Sequence, residues 1–101
     1  MRSAYAKGLA FLVDAFESPY AAMRLEVDGG VIEEDVSANA SAGKNWSRHC
    51  EGMLLGARYH QTNQARFFRS ANVDQMFAVL AVPLSNPRDG AIGAITVVVA
   101  C

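Results

Sequence analysis

Apolar and polar positions change their period along the chain, and each change marks an element. Over residues 2–17, Tyr5, Leu9, Leu12, Val13 and Phe16 recur at helical spacing and form one apolar stripe. Ala4, Gly8, Phe11 and Ala15 form a second stripe beside it, leaving Ser3, Lys7, Asp14 and Glu17 as a narrow polar face. A helix patterned this way meets two apolar surfaces: its own sheet, and a second helix or a second chain. Ser18-Pro19 ends it, because the residue before proline is disfavoured in the α region. From Tyr20 to Val27 the period becomes two: Met23, Leu25 and Val27 alternate with Arg24, Glu26 and Asp28, a strand with one buried and one wet face. Asp28-Gly29-Gly30 is hairpin chemistry. The return strand, Val31–Ser37, has Val31, with Ile32 as a second candidate, inward and carries Glu33-Glu34-Asp35, charges that weaken the strand and suit an edge.

Residues 37–45 are small and polar and predict a loop, with Asn45 or Ser47 as cap of a second helix. From Trp46 to Ala57, the residues Trp46, Cys50, Met53, Leu54 and Ala57 share one helix face, which Gly52 and Gly56 weaken. Tyr59–Asn72 has little periodicity; Phe67-Phe68 fits a short strand or the anchor of a loop on the core. Met76–Leu84 and Ala91–Ala100 are near-continuous apolar runs, which predict central strands covered on both faces, burying Val79, Leu80, Ala81, Val82, Ile92, Ile95, Val97 and Val98. The six residues Ser85–Gly90, with Asn86-Pro87 and Asp89-Gly90, allow an antiparallel hairpin but not a parallel crossover. Pro83 calls for a strand position without a ladder donor, or a bulge. The pattern is helix, hairpin, helix, hairpin: an α+β domain over residues 1–101, an antiparallel sheet flanked by an N-terminal and a middle helix.

Composition narrows the functional classes. With 51% hydrophobic and 19% charged residues the chain is neither disordered nor low in complexity. No apolar run reaches the roughly 20 residues of a bilayer span, and the start lacks signal-peptide order. The net charge of −1 gives no global attraction to nucleic acid or membrane. Charge is uneven, however. Asp14, Glu17, Glu26, Asp28, Glu33, Glu34 and Asp35 outnumber Arg2, Lys7 and Arg24 in residues 1–43. Lys44, Arg48, Arg58, Arg66 and Arg69 stand against Glu51 alone in residues 44–69. The basic block reads either as a solvated face offsetting the acidic run or as an anion site. Five cations without a stacking platform make a poor nucleic-acid footprint. Two cysteines, Cys50 and Cys101, without a leader suit reduced thiols in the cytoplasm. Neighbouring His49 and Cys50 point to different helix faces and His60 stands alone, so no metal spacing is present.

The segment Ala78-Val79-Leu80-Ala81-Val82-Pro83-Leu84, the turn with Asp89-Gly90, and Ala91-Ile92-Gly93-Ala94-Ile95-Thr96-Val97 resemble the C-terminal signature of GAF domains. There an apolar strand ends in a Val-Pro-Leu type triplet, and a strand opening with Ile-Gly follows the turn. The first helix, the Ala21–Asp28 strand and its Gly-Gly turn fall where such a domain has its opening helix and first hairpin. The Trp46–Ala57 helix falls where the family has a helix beside its ligand pocket. The middle segment is shorter than in most GAF domains. The family's C-terminal helix, which packs beside the first, has no counterpart within residues 1–101. The resemblance implies a non-catalytic sensory or regulatory module that binds a small molecule and dimerises through terminal helices.

On this reading the ligand meets Trp46, Cys50, Tyr59, His60 and Phe67, with Arg58 or Arg66 answering an anionic group, and no cofactor or metal is required. The mixture of aromatic and polar groups suits a pocket. A homodimer forms through Ala4, Gly8, Phe11 and Ala15, the stripe that its own sheet cannot cover. Two alternatives remain. One is a roadblock-like interaction dimer without ligand. The other is a thiol-dependent methionine sulfoxide reductase of the GAF type, against which stand the placement of Cys50 and Cys101 and the lack of a base aligned with either thiol. Neither paired carboxylates nor a Gly-rich phosphate loop nor a Ser-His-Asp set stands out.

Overall fold

The computed structural model describes residues 4–69, 75–88 and 90–101. In chain order the elements are α1 (Ala4–Ala15), β1 (Tyr20–Val27), β2 (Gly30–Ser37), α2 (Ala40–His60), β3 (Gln64–Arg69), β4 (Met76–Asn86) and β5 (Ala91–Ala100). The strands form one sheet in the order β2-β1-β5-β4-β3, every neighbouring pair antiparallel. The architecture is α+β, as the pattern predicts, and β2 is an edge.

Local chemistry sets the boundaries. Helix α1 ends in a Schellman turn: the Ser18 N–H donates to the Val13 carbonyl at 2.8 Å and the Glu17 N–H to the Asp14 carbonyl at 3.3 Å. Glu17 takes the left-handed position at φ 50, where glycine is usual. The helix expected from Arg2 to Glu17 is therefore shorter at its C-terminal end, while Arg2 and Ser3 lie outside the described residues. Phe16 falls past the last turn and is exposed, as is Tyr5, so neither adds to the buried stripe of Leu9 and Val13. The β1–β2 hairpin closes on Asp28-Gly29, with Gly29 at φ 91. Asn86 opens the β4–β5 turn: its side chain accepts from the Arg88 N–H at 3.0 Å and its carbonyl from the Gly90 N–H at 2.9 Å. Asp89 of the same turn, and Ser70–Asn72 before β4, lie outside the described residues.

Helix α2 begins six residues earlier than its apolar period. Asn39 is the cap, its side chain accepting from the Ala42 N–H at 2.9 Å, in place of Asn45 or Ser47. Small residues read as a loop because they carry no hydrophobic stripe. Capped by Asn39 and seated by buried Ala42, they continue a helix that also passes through Gly52 and Gly56. Phe67-Phe68 belongs to β3, which pairs with β4.

The register divides the sheet into two faces. Tyr20 and Ala22 of β1, Val98 of β5 and Val79 of β4 pack under α2 with Cys50, joined by Trp46, Met53, Phe68 and Phe77. Leu54 and Ala57 close on Ala81 and Ala94, small residues that let the helix sit near the strands. Helix α1 lies on the other face, over β1 and β2, where Leu9 and Val13 pack on Ala21 and Met23. On β2 the half-buried residues of that face are Ile32, Glu34 and Val36; Val31, expected inward, is exposed because alternation turns it to the opposite side.

The expectation that both runs are covered on both faces is corrected. Val79, Ala81 and Val98 are buried, but Leu80 is 37% and Val82 45% exposed, and Ile92, Ile95 and Val97 are half-buried. Helix α2 spans the sheet on one side, whereas α1 covers mainly the β1–β2 half of the other, so alternate residues of β4 stand uncovered. Pro83 pairs with Ala94 of β5 beyond the end of β3, where β4 has one strand neighbour and the missing N–H costs no second ladder. Gly93, third residue of β5, has a structural reason: a Cβ there would stand 1.9 Å from the Arg24 carbonyl oxygen.

Candidate functional site

Two rows of α2 side chains face different parts of the sheet. Trp46, Cys50, Met53 and Ala57 form the row above β4 and β5. Ser47, Glu51 and Leu55 look toward the β1–β2 hairpin, Leu54 borders both rows, and between these four and Tyr20, Ala22, Arg24, Glu33 and Asp35 lies an open cleft of about 350 Å³. That volume is at the low end of small-molecule sites.

The cleft has a built polar floor. The Tyr20 hydroxyl donates to Asp35 Oδ2 at 3.0 Å across the hairpin. Burial raises the Tyr20 phenol well above its ordinary range, and the Asp35 carboxylate adds to the shift, so Tyr20 is a neutral donor throughout the physiological range. Arg24 pairs with Glu33 on the neighbouring strand, while its buried Nε has no hydrogen-bond partner among the described residues. Glu33, Asp35 and Glu51 together outweigh Arg24, so the cleft is acidic. Among the described residues no group of three or more His, Cys, Asp or Glu stands close enough to hold a metal ion.

The residues expected around a ligand do not converge, and none of them lines this cleft. Trp46 is half-buried and meets Phe77 and Phe68 edge-on, at centroid distances of 5.1 and 6.1 Å. Cys50 is fully buried; burial pushes its thiol up to about 11, against a smaller opposing hydrogen bond with Thr96. Such a thiol is structural, not reactive. Arg58 is committed to Glu26, with its Nη2 3.2 Å from Oε1, and its guanidinium lies 4.9 Å from the centre of the Tyr59 ring. The pair holds the Glu26 carboxyl below and Arg58 above their ordinary values, chiefly through the hydrogen bond. Tyr59 is 67% exposed and His60 is exposed at the end of α2. Arg66 lies over the Phe68 ring on the α2 side of β3, whereas Phe67 points to the opposite face. The basic block is therefore spread along a helix and an edge strand, and none of its residues lines the cleft.

Sequence reasoning missed the cleft because its residues come from two acidic or amphipathic stretches. Two signals were present: the i, i+4 spacing of Ser47 and Glu51 on one helix side, and Tyr20 at the strand start opposite the Glu33-Glu34-Asp35 run. Compared with known proteins, the chain matches no family model, no curated protein and no solved structure. The stripe of Ala4, Gly8, Phe11 and Ala15 is exposed, with Phe11 at 70%. No helix among the described residues is long and apolar enough to cross a membrane.

Proposed function

We propose that this chain is a non-catalytic ligand-binding module of the GAF type, cytoplasmic, taking a small polar molecule in the cleft between α2 and the β1–β2 hairpin. The observation that supports this is the cleft itself: a cavity of about 350 Å³ whose walls combine Leu54 and Leu55 with Tyr20, Arg24, Asp35, Ser47 and Glu51. Its excess of carboxylates favours a ligand with an ammonium or other donor group, in place of the anion suggested by the basic block. A molecule held there bridges the long helix to the edge hairpin. Occupancy then adds to a contact made by Tyr20 and Ala22 under Cys50 and by the Arg58–Glu26 pair, which is a physical route from binding to a regulatory output. The two free cysteines, one buried and one exposed, suit a reducing compartment.

The test is a thermal-shift screen with small amines, zwitterions and carboxylates, followed by amide chemical-shift mapping of the hits. Amines or zwitterions that raise Tm and perturb residues 20–24, 33–35 and 47–55 support the reading, and Glu51→Lys then abolishes the shift. Hits confined to carboxylates, or perturbations centred on Tyr59, Arg66 and Phe67, sink it.

A further inference from the structure

The polar groups of the cleft are ordered along it. Tyr20, Ala22 and Arg24 are alternate residues of β1 on its α2 face, and Ala22 is the small one between two long side chains, which leaves the hollow. The hairpin register sets Asp35 opposite Ala22 and Glu33 opposite Arg24. At one end Tyr20 donates to Asp35, and Glu51 of α2 lies near enough for its charge to act on the Tyr20 phenol. Arg24 stands two residues further along β1 than Ala22, about 7 Å. The cleft therefore has a carboxylate end and a guanidinium end, with Leu54 and Leu55 of α2 as its apolar wall. Arg24 is only partly engaged. Its one hydrogen bond among the described residues runs from Nη1 to Glu33, whose side chain is 63% exposed, and such surface pairs hold weakly. The other edge of the guanidinium, Nε and Nη2, makes none, and Nε is buried without an acceptor. A buried donor left unmet is costly and calls for a partner. This is the edge through which a guanidinium takes a carboxylate side-on.

We propose that the ligand of this cleft is a small α-amino acid: its ammonium bonds Asp35 and Glu51, its carboxylate takes the Nε–Nη2 edge of Arg24, and a short aliphatic side chain lies on Leu54 and Leu55. This assignment rests on the reading of the cleft as a binding site and narrows it, since carboxylates alone accept any amine. The two ends lie about 7 Å apart along the strand, the span of a small zwitterion with a charge-assisted hydrogen bond at each end. A simple amine leaves the Arg24 edge unmet and sets a second cation beside it. A carboxylate without an ammonium meets Arg24 but faces the like charges of Glu33, Asp35 and Glu51. A ligand carrying both charges answers both ends. Binding tilts the Arg24 side chain toward the cleft and brings Nε within reach of the ligand, while Nη1 keeps Glu33.

Isothermal titration of the full chain tests it, with three probes built on one carbon skeleton: L-valine, isobutylamine, which lacks the carboxylate, and isovalerate, which lacks the ammonium. L-Valine is expected to bind at least about tenfold more tightly than either, and Arg24→Gln to erase its margin over isobutylamine. Arg24→Lys, which keeps the charge but not the two-nitrogen edge, is expected to lose most of that margin. Amide shifts at residues 20–24, 33–35 and 47–55 locate the binding. Circular dichroism checks that each variant is folded, and if Arg24→Gln unfolds, the ranking of the three probes on the unmutated chain decides. Isobutylamine bound at these residues as tightly as L-valine overturns the amino-acid assignment and leaves the proposed function standing. So does a margin that survives Arg24→Gln. Binding of isovalerate alone overturns both. If none of the three binds, the amino-acid assignment falls, and the wider screen of amines decides the proposed function.

Discussion

Neighbouring residues of β4 live in opposite environments. Val79 and Ala81 point under α2 and are buried, while Leu80 and Val82 point to the other face and are exposed. Both faces draw on the same unbroken apolar run, so hydrophobicity does not separate them. What separates them is helix length and placement. The 21 residues of α2 reach across β1, β5 and β4, whereas the 12 residues of α1 rest mainly on β1 and β2. An apolar run thus reports that a strand avoids water on both sides, but not which part of the molecule, or which molecule, supplies the cover.

The largest expected effect lies in the strand both faces share. Gly93→Ala sets a Cβ against the backbone of Arg24 and must spread β1 from β5, at a cost of about 3 kcal/mol. Chemical denaturation measures it, and an effect below about 0.5 kcal/mol, the range of surface substitutions, would show that the strands yield freely.

Alkaline pH strikes the α2 face next. The folded-state pKa of Cys50 is about 11 against an ordinary value near 9, so the folded state holds its proton longer than the unfolded one. The associated stability is complete below pH 9 and declines as pH rises toward 11, by roughly 2–3 kcal/mol in total. Tyr20, also raised, extends the decline above its ordinary value of 10. Cys50→Ala should flatten the pH 9–11 part of a stability profile relative to the parent chain. An unchanged slope would mean the thiol is not what titrates. With a thiol reagent, Cys101 should react in the native protein and Cys50 on unfolding.

The direct comparison of faces is Val79→Ala beside Leu80→Ala. The first empties a fully buried position and should cost about 2 kcal/mol. The second, at a position 37% exposed, should cost less than about 1 kcal/mol. Equal costs would contradict the difference between the faces. The smallest effect belongs to the rim. Glu26→Gln breaks the pair with Arg58 at the end of α2 and should lower Tm slightly, by an amount that salt erases.

Much of the fold was legible because local chemistry agreed with the global answer. Asp28-Gly29 closes the first hairpin, Asn86 starts the second, and Glu33-Glu34-Asp35 marks an edge, each acting within a few residues of itself. The start of α2 was not legible, since Ala40, Ser41 and Ala42 carry no stripe and Asn39, Asn45 and Ser47 are all residues that can cap a helix. The cleft was less legible still. Tyr20 and Asp35 are 15 residues apart and meet through hairpin register, and Glu51 joins them through the docking of α2. Aromatic and basic content drew attention to Trp46–Arg69, yet content says nothing of convergence: Arg66 and Phe67 are adjacent and face opposite sides of the sheet.

By itself, then, the sequence determined the α+β class, the two hairpins, the edge role of β2 and an apolar centre in β4 and β5, because turn residues and periodicity act over short separations. Only the tertiary structure decided which face of the sheet each helix covers and how far it reaches, where Cys50 is sealed, and that the acidic hairpin meets α2 at a cleft. Those outcomes depend on the angle and reach of helices laid across strands far away in sequence, and on a register that turns every side chain to one side or the other.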